Sequence, residues 1–207
     1  MTRLIEPSLR NLTNLMSEMG NKAVECANLA IDSYLAGKNT ASRVKQMSDE
    51  IRTGYYNLED LTFEMMLKYQ PAAEEFRLIR SSTEIAYAFS RFGRYAFDIS
   101  QVRDKFGDLS NCDKKWLFEI ANEVKSMIND AVSSFAELDT SRAQKIQEKE
   151  DFVDKVFRER ISKLIHSDNT PCALAEVLVL RYLERIAGHA MFMSDSVNYI
   201  VTGKHKV

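Results

Sequence analysis

Glycine and proline are scarce: seven and three residues in a chain of 207 are few for a fold that needs many tight turns, which disfavours sandwiches and barrels. Apolar runs long enough to cross a bilayer are missing too, since even the greasiest stretch, 173–183, carries Glu176 and Arg181. The opening Met1-Thr2-Arg3-Leu4-Ile5-Glu6-Pro7 holds no apolar signal core. The expected location is therefore the cytoplasm, with membrane contact only peripheral and through a partner. An excess of one charge is also lacking. The 28 basic and 30 acidic residues nearly cancel, to a formal −2, and form no Lys/Arg block of the kind that neutralises a phosphate backbone. That argues against nucleic acid as a partner. Cysteine is limited to Cys26, Cys112 and Cys172, odd in number, far apart and without a CxxC spacing. They read as small buried hydrophobes in a reducing compartment.

What the chain does have is 45% apolar residues, enough to fill a core, recurring at helical spacing. Leu9, Leu12, Met16, Met19, Ala23, Cys26 and Ala30 step alternately by three and four, and Gly37-Lys38-Asn39-Thr40 ends that helix, with Asn39 or Thr40 as the next N-cap. Val44, Met47, Ile51, Leu58, Leu61 and Met65 carry a second helix up to Gln70-Pro71, where Pro71 suits a first helical turn. Ile85, Phe89, Phe92, Ala96, Ile99 and Phe106 form the stripe of a third. The polar stretch 107–113 is the best boundary in the chain. Three more stripes follow: Leu117, Ile120, Val124, Met127, Ala131 and Leu138; then Ile146, Val153, Phe157 and Leu164; then Val179, Leu183, Ile186, Ala190, Met193, Val197 and Ile200. Turn signals recur as well, Leu138-Asp139-Thr140-Ser141 echoing the first loop and Thr170-Pro171 echoing Gln70-Pro71. The pattern predicts an all-α protein of two tandem three-helix bundles, residues 1–108 and 109–207. Each would run up-down-up, with helices crossing at about 20° and the two third helices packed together.

The segment Tyr182-Leu183-Glu184-Arg185-Ile186-Ala187-Gly188-His189-Ala190 resembles the most recognisable stretch of the PhoU family, whose third helix reads Leu-Glu-Arg-Ile-Gly-Asp-His-Ala. Phe89-Ser90-Arg91-Phe92-Gly93-Arg94-Tyr95-Ala96 sits where the second copy of that signature belongs, about ninety-four residues earlier. Gln70-Pro71 leading into Arg77 is similar to the family's Gln-Pro segment. The resemblance covers essentially the whole chain. It implies paired three-helix bundles that restrain phosphate uptake by contacting a phosphate-specific ABC transporter, through its ATPase, and a sensor kinase. A homodimer is among the assemblies it allows. It also implies, for some members, clusters of iron or zinc on acidic helix faces.

In the family each unit supplies one Asp/Glu-x-x-x-Asp pair on its second helix and another on its third; i and i+4 share a face, so neighbouring pairs can converge on a metal. In the second unit Glu150 and Asp154 keep the first pair, while Glu184 stands opposite Gly188, which has lost the second acid. The resemblance thus points to Glu150, Asp154 and Glu184 as ligands of one iron or zinc ion, with Asp195 as a further acid about three turns on. A purely solvated acidic face is the other reading, with Lys149, Lys155 and Arg185 near enough in sequence to neutralise it. The first unit departs: Ser48, Arg52, Ser90 and Arg94 occupy the four places, and Arg ligates no cation. Arg52 and Arg94 either receive an anion or carboxylate partner or are plain solvated charges. His189 follows Glu184 by five positions, off its face, and reads as a contact at the bundle edge. His166 and His205 sit near helix ends, where a cation suits the dipole.

No nucleophile-base pairing, Gly-rich phosphate loop or metal-hydrolase motif occurs, so no enzyme is expected. Di-iron bundle chemistry needs Glu-x-x-His motifs, and the sequence has none. A structural scaffold without a phosphate role is the alternative, weakened by Gly54, Gly93 and Gly188 within the seams.

Overall fold

The computed structural model describes residues 4–204. His205 lies outside them. Among the described residues there are six long helices, one short helix and no strand. The long helices are α1 (Glu6–Leu35), α2 (Ala41–Tyr69), α3 (Ala73–Ser100), α5 (Lys115–Glu137), α6 (Thr140–Leu164) and α7 (Thr170–Thr202); the short one is α4 (Val102–Phe106). The predicted all-α arrangement is what forms. In the first half α3 packs on α1 and α2, in the second α7 packs on α5 and α6, and α3 and α7 pack on each other. One continuous apolar core runs through both halves.

The stripes read from the sequence are the buried faces. Leu12, Met16, Ala23, Cys26 and Ala30 of α1, Ile85, Phe89, Phe92, Ala96 and Ile99 of α3, and Leu183, Ile186, Ala190, Met193 and Val197 of α7 are fully enclosed. Burial of each large apolar side chain contributes about 1.5–3 kcal/mol, so the apolar face rather than intrinsic propensity holds these helices. Local chemistry sets the ends. Gly37 and Gly203 adopt the left-handed conformation that closes α1 and α7. Asp139 accepts from the backbone N–H groups of Ser141 and Arg142 at 2.9 and 3.2 Å to start α6.

Four details differ from the sequence-based expectation. The third helix does not reach Phe106: it ends at Ser100, whose Oγ donates to the Phe97 carbonyl at 2.7 Å, and Phe106 falls on α4. Leu138 is not core; it takes the left-handed C-cap of α5 and is exposed. Pro71 precedes α3 instead of opening it, because Gln70 is left-handed and Ala72 extended, whereas Pro171 does sit in the first turn of α7 behind the Asn169 cap. Cys112 and Cys172 are not isolated hydrophobes. They form a disulfide, Cα to Cα 5.6 Å, tying the loop before α5 to the first turn of α7. Cys26 alone remains a free, buried thiol, and burial pushes it up to about 12. Finally, no helix among the described residues is long and apolar enough to cross a membrane, as expected.

Candidate functional site

The two signature segments meet. Helices α3 and α7 run antiparallel, since Arg77 Nε donates to the Ile200 carbonyl at 3.0 Å near one end while the Tyr95 and Tyr182 rings stack at 6.2 Å toward the other. His189 lies between, edge-on to Tyr87 at 5.9 Å and tilted on Tyr95 at 6.0 Å. Burial first, then the charges of Arg91 and Arg185, lower its pKa to about 4, so the imidazole is neutral at physiological pH. Arg91 donates to the Tyr95 hydroxyl at 2.6 Å and lies over its ring. Beside this aromatic seam is a depression of about 300 Å3 lined by Tyr87, Glu184, Arg185, Gly188, His189 and Phe192. Gly188 helps keep it open, because a Cβ there would meet nothing within 4 Å.

On the second unit the structure brings the α6 pair toward α7. Burial raises the pKa of half-buried Glu150, and the charges of Asp154, Asp151 and Glu184 raise it further. Yet each other acid is already engaged: Arg158 ion-pairs with Asp154, Arg181 donates to Glu184 at 2.8 Å, and Arg185 stands 3.8 Å from the same carboxylate. Of the neutralising cations expected from sequence, only Arg185 is in place. Lys149 turns to Ser126 and Asp130 on α5, and Lys155 to Glu159. Among the described residues no three His, Cys, Asp or Glu side chains are grouped to hold a metal ion, and Asp195 adds to no such group. As they stand, Glu150, Asp154 and Glu184 do not fit a metal; a cation would have to displace the guanidinium groups of Arg158, Arg181 and Arg185.

The first unit is different in kind. Arg52 pairs with Asp49 at 3.0 Å and Arg94 with the buried Asp98 at 3.0 Å, each within its own helix. Ser90 donates to the Tyr87 carbonyl at 2.7 Å, and Ser48 backs onto Gly93, where a Cβ would come within 3.3 Å of the Ser48 Cα. This is a close helix crossing, with its guanidinium groups satisfied locally. The aromatic seam of Tyr87, Tyr95, Tyr182 and His189 went unread in the sequence. Its one signal was the rise of Tyr on the flanks of both signature segments.

The PhoU domain matches the chain twice, over residues 16–102 and 117–197. The chain belongs to the PhoU family. Relatives named "Phosphate-specific transport system accessory protein PhoU homolog" include one from Clostridium acetobutylicum, 26% identical over 99% of this chain and 97% of that protein. Another, from Pseudomonas aeruginosa, is 24% identical over 94% and 84%. The homolog 1 of Thermotoga maritima is 28% identical over 95% and 89%. The PhoU crystal structure from Pseudomonas aeruginosa superposes with a TM-score of 0.89 at 23% identity, covering 97% of this chain and all of that one, which establishes the shared fold. The phosphate transport system regulatory protein PhoU from Streptococcus pneumoniae superposes at 0.77 with 18% identity over 98% and 99%. The matched halves are the two bundles whose third helices form the aromatic seam.

Proposed function

We propose that this PhoU protein restrains phosphate uptake from the cytoplasm by binding a component of a phosphate ABC transporter, its ATPase first and a sensor kinase second, without catalysing a reaction. The observation that carries the reading is the double PhoU match, with both signature segments on one face beside a charged and aromatic depression. Exposed Phe192 and Arg185 at that depression supply the anchor types that protein interfaces favour. The chemistry nearby is that of recognition. Glu184 and Arg185 at the depression are held in ion pairs, Arg91 is held on the Tyr95 hydroxyl and ring, and His189, neutral and wedged between tyrosines, is aligned with no nucleophile.

The test is genetic and biochemical. Deletion is expected to raise phosphate uptake and switch phosphate-starvation genes out of step with supply, and Phe192→Ala with Arg185→Glu is expected to weaken co-purification with the transporter ATPase. Unchanged uptake and gene expression in the deletion strain, with no co-purification by the intact protein, would reject it.

A further inference from the structure

A second cavity, of about 370 Å3, lies away from the third-helix seam's centre, where the end of α1, the start of α2 and the segment from α4 to α5 come together. Its wall combines cations with apolar surface. Half-buried Arg103 and Lys114 line it, as do the buried Ile99 and Leu109 and the ring of Tyr34. Lys114 donates to the Tyr34 carbonyl at 3.3 Å and its ammonium lies 5.0 Å from that ring's centre, which uses one of its three protons at the end of α1. The Arg103 guanidinium makes no hydrogen bond or ion pair among the described residues. It is near enough that its charge, after burial, lowers the pKa of Lys114.

Two cations crowded at a partly buried wall, one of them unpaired, repel each other until an anion joins them. Asp108, the acid in the wall, fills that role only in part: its carboxylate is turned to the Ser110 N–H and Oγ at 2.9 and 3.0 Å, and although the charges of Arg103 and Lys114 reach it, it forms no ion pair with either. Thr40 contributes independently. It stands at the N-terminus of α2 without capping it, and its Oγ1 is buried with no partner. The first amide of α2 is already taken, Ala41 N–H donating to Asn39 Oδ1 at 3.1 Å, so what Thr40 adds to the wall that carries the two cations is an idle hydroxyl.

We propose that this cavity binds a small organic phosphate of mononucleotide size, with the phosphoryl group between Arg103 and Lys114, the Thr40 hydroxyl on its rim, and the organic part against Ile99, Leu109 and Tyr34. The volume is at the lower end of sites that take such molecules, whereas orthophosphate would leave most of it, and the apolar wall, to water. The assignment does not depend on the transporter reading and fails or stands separately from it.

Isothermal titration of the full chain with AMP, adenosine and orthophosphate tests it. AMP is expected to bind saturably, with adenosine and orthophosphate each weaker by about tenfold or more, as loss of a charged hydrogen bond implies. Arg103→Gln keeps the stem but removes the charge, and Lys114→Gln does the same; each is expected to weaken AMP about tenfold or more. Thr40→Val is expected to weaken AMP while melting no lower than wild type, since it removes a buried hydroxyl that has no partner. AMP binding no tighter than orthophosphate, or unchanged by Arg103→Gln in a variant that melts like wild type, overturns the proposal, as does absence of binding by all three.

Discussion

Breaking the Cys112–Cys172 bridge offers the largest covalent perturbation available to this fold. The two cysteines are 60 residues apart, so the bond closes a loop spanning α5, α6 and the start of α7. Chain entropy for a loop of that length gives about 4 kcal/mol of stabilisation, through the unfolded state, and native-state relaxation lowers that toward about 2. For a chain of this size each kcal/mol shifts Tm by about 2–4 °C, so reduction should lower it by about 4–16 °C. The assay is thermal and urea unfolding of wild type with and without a phosphine reductant, beside Cys112→Ser/Cys172→Ser, which should match reduced wild type and ignore the reductant. Thiol counting supplies the control. Cys26 is buried with its thiol pushed up to about 12, so oxidised native protein should present no reactive thiol, and non-reducing denaturant should release one. Coincident oxidised and reduced melts, or three thiols in non-reducing denaturant, would refute the reasoning. What reduction loosens is the tie between the loop before α5 and the first turn of α7, while Arg160 of α6 still donates to Glu176 of α7 at 2.9 Å.

Two glycines should respond with opposite signs. At Gly93 a Cβ would lie 3.1 Å from Ile51 Cδ1 and 3.3 Å from the Ser48 backbone, so Gly93→Ala should destabilise by about 1–3 kcal/mol; at Gly188 it meets nothing, and Gly188→Ala should stabilise by about 0.5–1 kcal/mol in the same urea series. His189 has its pKa lowered from 6.5 to about 4, so the unfolded chain takes up a proton first: its contribution is complete above about pH 6.5 and is lost as pH falls toward 4. That amounts to about 3 kcal/mol at most; His189→Phe should flatten the stability slope over this window, and a native imidazole titrating above 6 by NMR would contradict the assignment. Any iron or zinc at Glu150, Asp154 and Glu184 must compete with Arg158 and Arg181, so metal content should rise in Arg158→Ala/Arg181→Ala and vanish in Glu150→Gln/Glu184→Gln. Equal metal in wild type and the arginine variant would remove the competition argument.

Helix number, the buried stripes and the doubling were legible along the chain, because apolar spacing every three or four residues has one efficient solution: a helix with one face covered. Val179, Leu183, Ile186, Ala190, Met193 and Val197 had to be interior in any folded arrangement, and they are. The Gly37 stop and the turn at 138–141 were legible for the same reason, since each acts on its immediate neighbours. The absence of acids at Ser48, Arg52, Ser90, Arg94 and Gly188 was equally plain. Tertiary structure alone decided which charges meet. Lys149 reaches across to Asp130 rather than to its neighbour Glu150, and Arg158 and Arg181 claim carboxylates that spacing had left available to a cation. Cys112 and Cys172 pair because the loop before α5 folds over the start of α7. His189 becomes neutral because the antiparallel crossing of α3 on α7 places Tyr87 and Tyr95 around it. Periodicity specifies which face of a helix is buried, but a charge, a thiol or an imidazole responds to whatever lies within a few ångströms, and those neighbours come from elements far away in the chain.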